Sequence, residues 1–194
     1  MEWKRLMLTG DDFGRSAAVN EAVERACEGG LLTQASLMVH EAGVDEAVRI
    51  ARRHPGLCVG LHLTLCAGHS AAVSALTDAR GRLPRAPGWA GLRYAFEPRL
   101  IQPLRAEIRR QFEGFLALGF APSYWDGHAH LHLHPTLLRL TLPIAGELGF
   151  RFVRLVREPG PPPALIPWIF QRLSQGAVPR LRAAGIGYAD RVWG

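Results

Sequence analysis

The sequence predicts an α/β fold in which mostly parallel strands form a barrel-like sheet. Short apolar runs alternate with helical segments of ten or more residues, which are long enough to connect neighbouring parallel strands. Five or six such units fit a curved sheet better than a small doubly wound one. Acidic or histidine side chains also follow three of the apolar runs, and barrels carry their functional residues at the carboxyl ends of strands.

Composition limits the class of protein. The chain has 194 residues, of which 48% are hydrophobic and 21% charged, as is usual for a globular protein with one core. We therefore predict a single domain over residues 1–194. The net charge of +6 comes from arginines scattered along the chain, so we expect a basic surface and no nucleic-acid partner.

Cellular location is predicted from what the sequence lacks. The three cysteines form no CxxC pair, which favours a reducing compartment. No apolar run approaches the roughly 18 residues of a membrane span, and the start of the chain does not resemble a signal peptide. We expect a cytoplasmic protein whose basic surface allows peripheral contact with the inner membrane.

Each predicted element follows from local sequence signals. Ser16 is a suitable N-cap for the first helix, and Gly29-Gly30 ends it. Pro143 should kink or restart the helix that contains it. Strands are predicted at residues 6–8, 33–39, 57–63, 151–156 and 185–189, and from residue 124 into the segment that follows; helices are predicted at residues 17–27, 41–53, 98–118, 135–148 and 168–184.

Two stretches are expected to lack regular structure. Residues 67–98 combine glycine, proline and single aromatic residues without a period, which predicts a long irregular loop of the kind that forms a lid or binding loop. Residues 159–163 are rich in proline and predict a rigid loop.

The segment from Asp126 to Pro135 contains four of the eight histidines. On an extended backbone, His128, His130, His132 and His134 would share one face, with apolar residues on the other. Imidazole is a common ligand of divalent metals, so this density indicates a metal site. Four histidines exceed the needs of one catalytic site, and some must have other roles.

Three separate clusters are expected to meet at one end of the sheet. Asp11 and Asp12 follow the first strand, His62 lies near the end of the third, and His128 follows the fourth. One carboxylate with two imidazoles leaves coordination positions open for water and substrate, and a neighbouring free carboxylate can act as a general base. Strict alternation would point Asp11 and Asp12 apart, so we expect the backbone to turn there.

These residues resemble a known family. Asp11-Asp12-Phe13-Gly14, Gly60-Leu61-His62 and Asp126-Gly127-His128-x-His130-x-His132 with Pro135 are similar in order and spacing to the YdjC-like carbohydrate deacetylases. The histidine-rich segment looks most like the branch associated with hopanoid biosynthesis. The resemblance implies a (β/α) barrel-like fold, one divalent metal ion, and hydrolysis of the acetyl group of an N-acetylated amino sugar, lipid-linked in that branch.

The resemblance also implies roles for particular residues. Asp12, His62 and His128 would bind the metal, and Asp11 would be the general base. We expect His130 and His132 to support the site or contact substrate, and His134 to begin a helix. Zinc is the favoured metal, with magnesium, manganese, nickel and cobalt as alternatives.

Members of this family usually continue further and carry a late His-Pro-Gly segment. We therefore expect a barrel that is incomplete at the C-terminus and an exposed sheet edge that favours a homodimer.

The sequence also leaves two other functions open. A metal-dependent phosphoesterase is one alternative, because HxH motifs and aspartates also build two-metal sites. A non-catalytic protein that binds metal or ligand, or only dimerises, is the other.

Overall fold

The structure, a computed structural model, describes residues 6–156, 164–189 and 192. Six strands within these residues form one parallel sheet in the sequential order β1 to β6. The strands are β1 (Thr9–Phe13), β2 (Gln34–Leu37), β3 (Cys58–Leu63), β4 (Tyr124–Gly127), β5 (Phe152–Val153) and β6 (Gly187–Tyr188). The α/β prediction with parallel strands is confirmed.

Helices connect the successive strands. They are α1 (Ala17–Glu28), α2 (Val44–Arg53), α3 (Pro87–Phe96), α4 (Ile101–Ala117), α5 (Pro135–Glu147) and α6 (Leu165–Ala183), with short 3-10 helices at Pro98–Leu100 and His128–Leu133. Ser16 caps α1 as predicted, since its side chain accepts a hydrogen bond from the Val19 amide. Among the described residues, no helix combines the length and apolar character required to cross a membrane.

The sheet curves as a barrel does. Four strand spacings would separate the first and fifth strands of a flat sheet by about 19 Å. Arg154, the residue after β5, nevertheless contacts Asp11 on β1 at 2.7 and 2.9 Å. The two strands therefore approach each other at their carboxyl ends, which supports the prediction of a barrel-like sheet.

The core lies between the sheet and the helices on its outer face. Phe112 of α4 makes edge-on contacts with Trp125 of β4 and with Phe150 before β5. All three side chains are fully buried. This packing fixes β4, which supports the histidine-rich segment, against the adjoining helices.

The first strand was predicted too early in the chain. Residues 6–8 lie outside the strand, and all three side chains are exposed. Sheet pairing starts where the Leu8 carbonyl accepts the Gln34 amide, and β1 continues through Asp11 and Asp12 to Phe13. The apolar run at residues 6–8 was a misleading signal, because the segment that pairs in the sheet is the more polar one that follows and contains Asp11 and Asp12.

The prediction of an extended histidine-rich strand is also wrong. After Gly127 the chain forms the 3-10 helix His128–Leu133, and Ala129 and His130 have left-handed backbone angles, with φ of 51° and 55°. The four histidines therefore do not share a face. Polar and apolar residues alternate in this segment, but the backbone turns at the residue after His128.

Two smaller predictions require correction. The expected irregular loop at residues 67–98 contains α3, which buries Ala90 and Tyr94, so the irregular part is shorter. Pro143 does not restart its helix, because α5 continues through it to Glu147. The proline-rich loop predicted at residues 159–163 lies outside the described residues.

We expect Gly60→Ala to destabilise the fold. A Cβ atom at Gly60 would lie 2.5 Å from the Tyr124 ring, whose hydroxyl group is hydrogen-bonded to Ser36 in the core. The free energy of unfolding should fall by roughly 1–3 kcal/mol, measured by urea denaturation. Gly56→Ala is the control, because its Cβ would meet nothing within 4 Å; equal stability of the two variants would contradict this account of the packing.

Candidate metal centre

Three side chains converge at the carboxyl ends of the strands. The Asp12 Oδ1 atom lies 2.7 Å from His128 Nδ1 and 3.2 Å from His62 Nε2. Asp12 comes from β1, His62 from β3, and His128 from the residue after β4. The structure thus brings together the three residues whose sequence positions predicted a shared site.

The turn expected at Asp11-Asp12 is present. Asp12 has a φ of 59°, and the register between β1 and β2 shifts between Gly10 and Phe13. A left-handed residue at a bulge redirects the side chains of the strand, so neighbouring acids need not point to opposite faces.

Asn20 of α1 fixes the chain just after this turn. Its side-chain oxygen accepts the Gly14 amide at 2.8 Å, and its amide nitrogen donates to the Gly43 carbonyl at 2.9 Å. Asn20 is fully buried, so these bonds are shielded from water. Asn20 is a supporting residue that the sequence analysis missed.

Asp12 presents one oxygen to the histidines and the other to an arginine. Arg15 Nη1 lies 2.7 Å from Asp12 Oδ2, which leaves Oδ1 for His62 and His128. Burial alone would raise the pKa of Asp12, but the hydrogen bonds to His128, His62 and Arg15 hold that pKa well below its usual range. The carboxylate is therefore available as an anionic ligand.

His62 is oriented by a buried acid. Its Nδ1 atom lies 2.6 Å from Asp126 Oδ1, while its Nε2 atom faces Asp12. His62 and Asp126 are register partners on adjacent strands, and both are buried. Burial disfavours the charged imidazole, but the Asp126 carboxylate and the bond to Asp12 outweigh it and raise the pKa of His62. A carboxylate at Nδ1 directs Nε2 toward a metal in many proteins.

Asp11 lies beside this group and is held by Arg154. Arg154 Nη1 and Nη2 donate to the two Asp11 oxygens at 2.9 and 2.7 Å, in the two-pronged geometry that suits guanidinium and carboxylate. Arg154 Nη2 also lies 2.8 Å from Asp126 Oδ2. One guanidinium thus connects the predicted base to the acid that orients His62.

The other three histidines of the segment have different surroundings. His132 is buried, and its Nε2 atom lies 2.9 Å from the Arg154 carbonyl oxygen. His130 packs edge-on against Phe170 of α6. His134 is the N-cap of α5, which confirms its predicted position at the start of a helix. The structure therefore brings only His128 of this segment into the group with Asp12 and His62.

The donor atoms suit a divalent cation. Ligand bonds of about 2.1 Å at near-tetrahedral angles separate neighbouring donor atoms by about 3.4 Å. The corresponding distances from Asp12 Oδ1 are 2.7 and 3.2 Å, so Asp12 would need to move away from each imidazole by less than about 1 Å. One carboxylate and two imidazoles also leave coordination positions open. Asp12, His62 and His128 can therefore hold one divalent cation.

Two other groups of potential ligands are less suitable. Asp11, His62 and Asp126 have donor atoms within 4.8 Å of one another, but the Arg154 guanidinium already contacts both carboxylates. Glu24, Glu28 and His54 form the third group found within the described residues, and Arg53 pairs with Glu24 there. A cation in either group would have to compete with an arginine.

Asp126 and Arg154 are two further site residues that sequence reasoning did not assign. Asp126 is part of the histidine-rich motif, and its position before Gly127-His128 was the available signal. Arg154 follows β5, so the same strand-end argument that selected His62 and His128 applies to it. It was overlooked because arginines are spread over the whole chain.

A parallel βα sheet that carries an Asp-His-His group at its carboxyl end defines a class of barrel-like α/β proteins with a candidate metal centre. Residues 5–194 match the YdjC-like protein family, and the chain belongs to that family. The assignment confirms the family predicted from the three motifs, although it does not distinguish the hopanoid-associated branch.

Several relatives carry deacetylase names. A carbohydrate deacetylase of Brevibacillus brevis is 36% identical over 168 residues, which are 86% of this chain and 60% of that protein. A chitooligosaccharide deacetylase of Serratia marcescens is 32% identical over 157 residues, which are 80% of this chain and 60% of that protein. The chain therefore spans about 60% of the length of these relatives.

A solved structure shares the fold. A protein from Enterococcus faecalis V583, provisionally assigned to cellobiose-phosphate cleavage, superposes with a TM-score of 0.67. The superposition covers 95% of this chain and 66% of the Enterococcus protein. The sequence identity is 19%, so the similarity concerns the fold.

We expect metal binding to depend on Asp12 and His128 and to be independent of Asp11. The purified chain should bind about one zinc ion, a stoichiometry lost in Asp12→Ala and His128→Ala because each removes a donor atom. Asp11→Asn is the matched control and should keep its metal. Mass spectrometry measures the zinc content of each variant. Zinc retained in all three variants would contradict the assignment of Asp12 and His128 as ligands.

We expect Asp126→Asn to weaken zinc binding by about 10–100-fold, because it weakens the interaction that orients His62. His62 must lose a proton to bind a cation, and its raised pKa means that binding releases this proton near neutral pH. Affinity should therefore increase with pH, and proton release should be smaller in Asp126→Asn. Calorimetry in buffers of different ionisation enthalpy measures both quantities; unchanged affinity and proton release in the variant would contradict the account.

Proposed function

We propose that this protein is a metal-dependent hydrolase that removes the acetyl group from an N-acetylated amino sugar. The convergence of Asp12, His62 and His128 beside the carboxylate of Asp11 carries the proposal, because it provides an open cation site near a candidate base that Arg154 holds in place. The deacetylase names of the relatives support a carbohydrate amide as the substrate.

Asp12, His62 and His128 would hold the cation. When bound, a divalent ion supplies Lewis acidity for activation of water and of an acyl carbonyl group. Zinc is the metal that this nitrogen-rich ligand set favours, whereas magnesium prefers a shell of oxygen atoms. Asp126 orients the His62 ring through Nδ1, so that Nε2 faces the cation.

Asp11 is proposed to act as the base. An Asp11 carboxylate oxygen lies within 4.8 Å of a His62 nitrogen, and Asp11 precedes the proposed ligand Asp12 in the chain. It would accept a proton from water as the water oxygen attacks the acetyl carbon. The carbon–nitrogen bond then breaks, the amine nitrogen takes up a proton, and acetate leaves. Protonated Asp11 would return that proton to the amine.

Arg154 has the complementary role of holding Asp11. Its two hydrogen bonds fix the plane of the carboxylate and leave each oxygen with further acceptor capacity. Positioned general bases contribute large factors to rate only when their geometry is maintained. Arg154 would therefore affect turnover more than metal content.

The described residues give less support to a two-metal phosphoesterase. A second cation would need its own carboxylates, and Asp11 and Asp126 are both engaged by Arg154. Asp12 likewise has one oxygen paired with Arg15. The set of donors near His62 therefore fits one cation.

We further propose that the sugar is attached to an apolar group such as a hopanoid. The first turn of α6 exposes Leu165, Ile166 and Trp168, and α6 packs against the 3-10 helix that carries His128. With the net charge of +6, this apolar surface supports contact with an anionic membrane. Membrane contact, the cytoplasmic location and a homodimer remain predictions.

The zinc-loaded chain is expected to release acetate and a free amine from N-acetylglucosamine oligosaccharides. Asp11→Asn should keep its metal and lower kcat by about 10²–10⁴-fold, because proton transfer to the positioned base is lost. Acetate is measured by a coupled assay, and the amine by labelling. If Asp11→Asn and the parent chain have equal kcat, the assignment of Asp11 as the base is contradicted. If the zinc-bound parent chain releases no acetate, the proposed deacetylase activity is contradicted.

Inorganic phosphate release from sugar phosphates would favour the phosphoesterase instead.

Comparison of a lipid-linked N-acetylglucosaminide with the water-soluble sugar tests whether the substrate carries an apolar group. We expect a higher kcat/KM for the lipid-linked substrate, and equal values would contradict this part of the proposal.

A further inference from the structure

His132 is the most enclosed histidine of the histidine-rich segment. Its side chain is about 1% exposed, and its ring packs edge-on against Trp125 at 5.7 Å. A Cβ atom added to Gly127 would lie 2.8 Å from His132 Nδ1. The His132 ring therefore packs closely against both Trp125 and Gly127 of β4.

The hydrogen bond of His132 has a defined direction. A carbonyl oxygen can only accept, so His132 Nε2 carries the hydrogen and donates it to the Arg154 carbonyl at 2.9 Å. Burial lowers the pKa of His132 to about 3, which keeps the ring neutral with Nδ1 unprotonated. Nδ1 is buried without a partner in the described part of the chain, a cost that a purely apolar ring would avoid.

Arg154 needs such an anchor because β5 is short. The strand covers only Phe152 and Val153, and Arg154 follows it. The Arg154 amide donates to the Trp125 carbonyl at 3.1 Å, and its own carbonyl accepts from His132. Both backbone polar groups of Arg154 are thus fixed by β4 and the segment that follows it.

We propose that His132 is a positioning residue that acts through Arg154 on Asp11. The bond from His132 Nε2 sets the backbone of Arg154, and the Arg154 guanidinium sets the Asp11 carboxylate with two hydrogen bonds. The inference rests on the proposed function for its effect on turnover, but the His132–Arg154 contact is testable independently of activity.

His132→Phe tests the effect on turnover. Phenylalanine keeps a ring against Trp125 and removes the donor, so kcat should fall by about 10–100-fold as Asp11 loses its position. KM should stay within about twofold and zinc stoichiometry should be unchanged, since His132→Phe alters none of the three proposed metal ligands. His134→Phe is the matched control in the same segment, and it should retain the kcat of the parent chain. A His132→Phe chain with full kcat would overturn the proposal.

A double-mutant cycle separates positioning from general destabilisation. In an Arg154→Met background, His132→Phe should change the residual kcat by less than about twofold, because the residue through which it acts is gone. The same fold-change in both backgrounds would show that His132 acts without Arg154, contrary to the proposal. If His132→Phe does not fold, His132→Leu, which also lacks the donor, enters the same cycle with the same expected outcomes.

Nuclear magnetic resonance of the zinc-loaded parent chain provides a test without turnover. Long-range ¹H–¹⁵N spectra should show His132 protonated at Nε2 and not titrating between pH 8 and pH 5. Protonation at Nδ1, or titration in that range, would overturn the His132–Arg154 contact. If His132 behaves as expected while the parent chain releases no acetate, the proposed function fails and the contact remains.

Discussion

The fully buried carboxylate of Asp126 connects groups from three other strands. Its oxygens lie 2.6 Å from His62 Nδ1, 2.7 Å from Ser36 Oγ and 2.8 Å from Arg154 Nη2. Isolated charges are costly to bury, and this one is tolerated because two cationic partners and a hydroxyl donor surround it. These contacts hold the pKa of Asp126 well below its usual range against the opposing effect of burial.

The geometry around the proposed cation site follows from this network. One Asp126 oxygen orients His62, and the other contacts Arg154, which in turn holds Asp11. Because Arg154 comes from the end of β5 and Asp11 from β1, their ion pair also holds the curved sheet together across its mouth. Stability of the sheet and placement of the candidate catalytic groups therefore depend on the same contacts.

Sequence reasoning found the residues at strand ends more reliably than the path of the chain between them. Asp12, His62 and His128 were predicted together because parallel strands end at the same edge of a sheet, and the structure brings them together. The histidine-rich segment was given the wrong conformation because alternation of polar residues does not reveal the left-handed angles of Ala129 and His130. Arg154 was missed because arginines are spread over the whole chain and because its partners, Asp11 and Asp126, are distant in sequence.

We propose that a single cation is held by Asp12 of β1, His62 of β3 and His128, the residue after β4, although four histidines occur in a single segment. X-ray absorption at the zinc edge measures the ligand set most directly. The account predicts a shell of two imidazole nitrogens with oxygen donors at about 2.0–2.2 Å and no sulfur. A shell of three or four imidazoles would indicate binding by the histidine-rich segment itself, and a zinc–sulfur distance of about 2.3 Å would implicate a cysteine; either result would contradict the Asp12–His62–His128 site.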